Sequence, residues 1–301
     1  MSKRPENSEE RGPGRRALRS AADVVAVLLL IVAFAAVSGC CERLFYYPDD
    51  REYSTPAEAG LRHEAVEFRS ADGTRLSGWF LPAVGAAKGT VVHCHGNAQN
   101  MTSHWRFVEF LPRLGYNLFV FDYRGYGASD GRPTRQGTFE DAEAAVAYVR
   151  SREDVDPERV GLFGQSLGGA IAVVVAARDP RIKGAVIDSA FSSHQAEAAH
   201  ALRGNPVTWL LAWPLSRLVI RSGLDPIDYV ADLPPRPVLF VHGTADRVVP
   251  CEMTRELAEK AGRRAWLVDG ARHTAAVYVE PEKYRKRVDD VFTRAFAKEE
   301  W

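Results

Sequence analysis

The sequence predicts an α/β fold, a mostly parallel central sheet with helices on both faces. Three observations predict it. Short apolar runs alternate with stretches of helical spacing from His63 to the end of the chain. Several of these runs are continuously apolar, as strands covered on both faces are. The 301 residues are 46% hydrophobic and 26% charged, with no internal repeat or low-complexity linker, so one large domain can bury a full core.

The elements follow in order. His63 to Phe68 alternates, Ala71-Asp72-Gly73 is a turn signal, and Thr74 to Leu81 comes next; together they predict an antiparallel hairpin at one sheet edge. Gly89 to His95 and Asn117 to Phe121 read as buried strands. Between them, Trp105, Val108, Leu111 and Leu114 recur at helical spacing, predicting a helix over 101–114 that Pro112 loosens in its last turn. Thr138-Phe139-Glu140-Asp141 fits a capping box and predicts a helix opening at Thr138, with Ala145, Val146 and Val149 along one face. Strands are expected at Val160 to Phe163, Gly184 to Asp188, Val238 to Val241 and Ala265 to Val268. Helices are expected at Gly168 to Ala177 and Met253 to Ala261. Pro281 to Lys298 closes the chain as a helix, with Tyr284, Val288, Val291, Phe292 and Phe296 on one stripe. Residues 191–233 interrupt the alternation and contain Trp209-Leu210-Leu211-Ala212-Trp213-Pro214-Leu215.

The chemistry centres on Gly164-Gln165-Ser166-Leu167-Gly168-Gly169, set between a strand and a long apolar helix. A G-x-S-x-G turn there strains the backbone at the serine and exposes its oxygen above the sheet. The glycines leave no side chains to clash across the turn. The Leu167 N–H, in the first helical turn, points where an oxyanion would form. This order of elements, with serine at the elbow, resembles the α/β-hydrolase fold from about His63 onward. The resemblance implies a base, an acid and a second oxyanion donor on loops at the carboxyl end of the sheet, and a lid as one form of the 191–233 insertion. The other form is a helix packed on the sheet edge. As a lid, its tryptophans and leucines imply an apolar or acyl-bearing substrate.

Serine needs a positioned base. Of the eight histidines, His273 in Gly270-Ala271-Arg272-His273-Thr274 follows the last strand and precedes the last helix, which is where the resemblance places the base. The acid is expected at Asp246, in His242-Gly243-Thr244-Ala245-Asp246-Arg247-Val248-Val249-Pro250; Asp188, ending the preceding strand, is the competitor. The order Ser166, Asp246, His273 is the one this fold implies. The second oxyanion donor is assigned to the main-chain N–H of Asn97, in His95-Gly96-Asn97-Ala98. His93 and His95 lack a third ligand, so no metal is expected, and His95 is read as ordering the loop. Asp122-Tyr123-Arg124-Gly125-Tyr126-Gly127 is not G-x-G-x-x-G, so no dinucleotide or other cofactor is expected; its tyrosines and Arg124 read as structural. Taken together, the motifs are similar to those of the membrane-associated α/β-hydrolase-domain proteins, a group that includes protein depalmitoylases. That implies a serine hydrolase acting on an ester or thioester of a small-molecule or lipid-like substrate, with a peptidase or amidase, or a non-catalytic scaffold, as alternatives. The bacterial-style leader departs from the eukaryotic members' anchors.

That leader is residues 1–41. Lys3, Arg4, Arg11, Arg15, Arg16 and Arg19 precede an unbroken apolar run from Val24 to Val37, about the length of a signal h-region. Val37-Ser38-Gly39-Cys40 resembles a bacterial lipobox, which implies cleavage before Cys40 and its diacylation; the alternative is an uncleaved anchor. Either form predicts a cytoplasmic N-terminus and a membrane-anchored, extracytoplasmic domain in a bacterial envelope. Residues 42–61 are then a tether and 62–301 the catalytic domain. Thirty-nine basic residues balance 39 acidic ones, which gives no basis for a nucleic-acid partner. The four cysteines lack disulfide or zinc spacing.

Overall fold

The structure is a computed structural model and describes residues 45–203, 212–220 and 223–297. The leader with Cys40, and Trp209 to Leu211 of the insertion, lie outside the described residues.

Among the described residues the first strand is β1 (Tyr47–Pro48), followed by a 3-10 turn at Pro56–Ala59. The expected hairpin follows as β2 (Glu64–Arg69) and β3 (Arg75–Leu81), with Glu64 opposite Phe80 and Arg69 opposite Arg75. Next come β4 (Thr90–Cys94), the two-residue β5 (Ala98–Gln99), α1 (Met101–His104) and β6 (Asn117–Phe121). α2 (Arg135–Ser151), β7 (Val160–Gln165), α3 (Leu167–Arg178) and β8 (Ala185–Asp188) build the centre. The insertion carries α4 (His194–Arg203), α5 (Ala212–Val219) and α6 (Pro226–Tyr229). β9 (Val238–Gly243), α7 (Cys251–Lys260), β10 (Trp266–Val268), α8 (Ala276–Val279) and α9 (Pro281–Ala295) complete the chain.

Eight strands form one sheet in the order β10-β9-β8-β7-β4-β6-β3-β2. β3 runs against both its neighbours and the other pairings are parallel. All residues of β4, β6 and β7 are buried, because helices cover both faces. The pleat sorts their side chains. Val92, Cys94, Phe119, Phe121 and Leu162 face one core with α2 and α3, while Val91, Leu118, Val120 and Phe163 face the other with α9. β4 continues to β6 on one side and β7 on the other, so strand order reverses there. Such a reversal opens a crevice at the carboxyl ends of the strands.

Two helix expectations and the tether change. Residues 101–114 do not form one helix: α1 is a single turn, followed by 3-10 turns at Trp105–Phe107 and Pro112–Leu114. Trp105, Val108 and Leu111 are nonetheless wholly buried. Their spacing marked burial, while Pro112, with no N–H to donate, starts a turn of its own. The helix expected to open at Thr138 opens a turn earlier. Thr134 Oγ1 accepts the Gly137 N–H at 3.0 Å, and the Thr138 hydroxyl donates to Arg135 O at 2.9 Å from inside the helix. The tether is packed on the domain from Phe45 on. Tyr46, Pro56 and Leu61 are buried, and β1 pairs with β5, Tyr47 opposite Ala98.

Candidate active site

The turn from β7 into α3 is tight because the helix lies almost on the sheet. A Cβ on Gly168 would sit 1.9 Å from Cys94 O, and one on Gly164 2.3 Å from Gly168 O. Only glycine permits that approach. Ser166, between them, takes φ 52° and ψ −116°, and its hydroxyl does not cap the helix that follows. Leu167 through Ala176 are all buried, so the packed helix holds the strain in place.

Two loops meet beyond the strand ends. The one after β9 carries Asp246, and the one after β10 carries His273. The His273 Nδ1–H donates to Asp246 Oδ2 at 2.7 Å. Asp246 Oδ1 accepts the N–H groups of Val248 and Val249 at 2.8 and 3.0 Å, and His242 Nε2 lies 2.9 Å from Oδ2. Burial opposes the Asp246 charge, but the hydrogen bonds from His242 and His273 outweigh it and hold the carboxyl well below the usual carboxylate range. Asp188, the competitor, faces elsewhere. Its carboxyl is wholly buried and accepts the hydroxyls of Ser189 and Tyr284. Burial pushes it up, against those two hydrogen bonds.

Asp188 and Ser189 instead form a corner between the Ser166 turn and the His273 loop. The Ser166 N–H donates to Asp188 O at 2.8 Å, and the Thr274 N–H donates to Ser189 Oγ at 3.2 Å. Backbone strain collects here: Ser166, Ser189 and Thr274 have φ of 52°, 55° and 53°. Among the described residues, neither the Ser166 hydroxyl nor His273 Nε2 has a hydrogen-bond partner. Such contacts often tighten only when substrate binds.

The loop after β4 is held by its carbonyls. Tyr123 OH donates to His95 O (3.3 Å), His95 Nδ1–H to Gly96 O (2.7 Å), Tyr126 OH to Asn97 O (2.8 Å) and His104 Nε2–H to Ala98 O (2.8 Å). The peptide unit is planar and trans, so fixing Gly96 O fixes the opposite direction of the Asn97 N–H. Among the described residues, the N–H groups of Asn97 and Leu167 have no protein acceptor. The Asn97 side chain, which the sequence left without a task, bonds outward: Oδ1 accepts the Tyr47 N–H at 3.3 Å and Nδ2 donates to Phe45 O.

A family model described as alpha/beta hydrolase fold matches residues 89–236. The chain is 36% identical over 279 residues to the uncharacterized protein YfhR of Escherichia coli K12, covering 89% of this chain and 93% of that one. It is 33% identical over 255 residues to the alpha/beta hydrolase domain-containing protein WAV2 of Arabidopsis thaliana, covering 80% of each. The chain belongs to the α/β-hydrolase superfamily. Among solved structures, this hydrolase superposes on the Pyrococcus furiosus esterase Pf2001 with a TM-score of 0.69 at 25% identity, over 83% of this chain and 97% of that one. The fold and its esterase neighbour support hydrolase activity.

Several residues around the hydrolase site had no signal in the sequence. Ser189 and Thr274 are ordinary loop residues until their backbones are seen. Glu197 of α4 is pushed up to about 8 by burial and by the charge of Asp246. His93 turns to Gln165 Oε1 at 3.0 Å, and among the described residues no group of three or more His, Cys, Asp or Glu side chains is placed to hold a metal ion.

Asp122, just past β6, is both buried and close to the Asn97 loop. Its Oδ1 accepts the Met101 N–H at 2.7 Å and lies 3.6 Å from His95 Nε2. This is not an ion pair. Burial pushes Asp122 up from 3.8 to about 7 and drives the His95 imidazole well below its usual value. Folded chains therefore keep a proton on Asp122 that unfolded chains release above pH 3.8. Stability contributed by this group is full below the unfolded value and declines as pH rises toward 7, by up to about 4 kcal/mol. Asp122→Asn is expected to flatten the plot of unfolding free energy against pH between pH 4 and 7, measured by urea denaturation. An unchanged slope would refute the assignment.

Proposed function

We propose that the protein is a membrane-tethered serine hydrolase cleaving carboxylic ester or thioester bonds of an apolar or acyl-bearing substrate. The observation that carries the reading is the 2.7 Å bond from His273 to a buried, ionised Asp246, with the His273 loop tied through the Asp188–Ser189 corner to a strained Ser166.

In this reading His273 Nε2 takes the Ser166 proton as Oγ attacks the carbonyl carbon, and Asp246 stabilises the imidazolium. The oxyanion accepts the N–H groups of Asn97 and Leu167. Collapse expels the alcohol or thiol, protonated by His273, and leaves an acyl-enzyme. His273 then draws a proton from the water that attacks the acyl carbon, and returns it to Ser166 Oγ as the acid leaves. The 191–233 insertion serves as the lid, and its apolar side chains support an acyl-bearing substrate. The tether is the 1–41 leader, either lipidated at Cys40 or retained as an anchor, with the catalytic domain outside the cytoplasm. Among the described residues no helix is long and apolar enough to cross a membrane, so the attachment rests on the leader sequence alone.

A fluorophosphonate probe applied to the folded protein, with mapping of the modified residue, tests the chemistry. Modification at Ser166, lost in His273→Ala, is expected. Labelling elsewhere, or none, would favour a non-catalytic scaffold.

A further inference from the structure

We infer that the apolar rim of the active-site mouth seats on the lipid bilayer that holds the chain, so that the site opens toward the membrane surface. This rests on the membrane-tethered reading above.

The exposed large apolar side chains are not scattered. Among the described residues they are Tyr47, Val84, Trp213, Val248, Tyr278 and Val279. Val84 follows β3, next to Pro112, at the amino-terminal edge of the parallel strands. The other five lie on segments at the carboxyl edge. Tyr47 pairs with the Asn97 loop, Val248 follows Asp246, Tyr278 and Val279 follow His273, and Trp213 stands on the insertion.

Contacts and chain adjacency gather these five residues into two sets. In one, Tyr47 pairs with Ala98, whose carbonyl is held by His104; the His104 ring lies 5.8 Å from Phe107, and Phe107 5.7 Å from Tyr278. In the other, Arg247 O, beside Val248, contacts His200 of α4 at 3.3 Å. From the same helix, Arg203 lies 5.8 Å over the Trp213 ring, and Arg217 of α5 lies 5.4 Å from it. A tryptophan flanked by arginines matches a bilayer interface, where the ring meets acyl chains and the guanidinium groups meet phosphates. Singly exposed apolar side chains are ordinary, but five on segments at one edge of the sheet are not.

The point of chain entry identifies the occupant as the chain's own membrane. Only residues 38–44 separate Val37, the end of the apolar run, from Phe45, which packs 5.9 Å from Phe191 at the insertion. That stretch spans at most about 25 Å when fully extended. A domain of this size is about 45 Å across. The bilayer is therefore within reach of the mouth and out of reach of the opposite face.

The test uses the full chain reconstituted in phosphatidylethanolamine–phosphatidylglycerol vesicles, alongside the variant carrying Tyr278→Glu and Val279→Glu. Two esters are compared, water-soluble p-nitrophenyl acetate and a fluorogenic acyl ester held in the bilayer. The variant is expected to float with the vesicles, to hydrolyse the soluble ester within about 2-fold of the parent, and to lose ~10-fold on the bilayer ester. Equal activities on the bilayer ester would overturn the inference while leaving the tether intact. Parent protein that fails to float would overturn the tether reading and the inference with it. A readout free of activity accompanies these: bromine-bearing acyl chains should quench tryptophan fluorescence less in Trp213→Phe than in the parent. Equal quenching would mean that the rim meets a protein partner or solvent, not lipid.

Discussion

Asp246→Asn is expected to lower kcat for ester hydrolysis about ten-thousand-fold, with KM changed by no more than a factor of a few. The carboxylate does two things at once. Oδ2 receives the His273 Nδ1–H, which leaves Nε2 as the nitrogen able to take a proton. Oδ1 receives the Val248 and Val249 N–H groups, which fixes the carboxyl in its loop. Asparagine keeps the second role through its oxygen but turns an amide toward His273. The amide N–H demands an acceptor, so Nδ1 gives up its proton and Nε2 takes one, the tautomer that cannot act as base. Asp188→Asn makes the control. Its partners are the hydroxyls of Ser189 and Tyr284, which can donate or accept. That substitution is expected to cost no more than about 10-fold. Steady-state kinetics on a p-nitrophenyl ester separates the two, and an equal loss in both variants would refute the assignment of Asp246 as the acid.

Gly168→Ala is expected to cost at least about 4 kcal/mol of stability and to leave little folded protein. The added methyl would stand 1.9 Å from Cys94 O and 2.5 Å from His95 O, both backbone atoms of the strand and loop leading to Asn97. Neither can rotate away as a side chain does. Either α3, buried along its length, lifts from the sheet, or the end of β4 shifts and misaims the Asn97 N–H. Urea denaturation monitored by circular dichroism measures the loss. Gly262→Ala supplies the comparison: φ is +66° but nothing lies within 4 Å, so only the backbone penalty of about 1 kcal/mol applies. A Gly168→Ala protein as stable as Gly262→Ala would show that the elbow is looser than its geometry.

Much of the fold was legible because long elements repeat their pattern. The parallel sheet and α3 announce themselves through continuous apolar runs, the hairpin through alternation at period two, and α9 through a stripe at 3.6. The serine elbow and the Asp246 loop were legible as short motifs, and the His273 loop by its place between the last strand and the last helix. Other features depend on contacts between distant residues and have no local signature. β1 is two residues long, and no period can be read from two residues. The Ser189–Thr274 bond joins residues 85 apart through a backbone amide that any residue would supply. Residues 101–114 carried a true burial signal that was read as the wrong element, since 3-10 turns repeat at nearly the same spacing as a helix.

The bonds between Asn97 and the strand that precedes the sheet also define a path for mechanical load. Among the described residues, a pull on the chain upstream of Phe45 reaches Asn97, through Phe45 O and the Tyr47 N–H, and the Tyr47–Ala98 pairing. Behind that pairing stand the Asp49 bonds to Asn100 and to the Gly127 N–H. Tension applied at the proposed anchor would thus be borne by the segment that aims the Asn97 amide before it reaches the sheet.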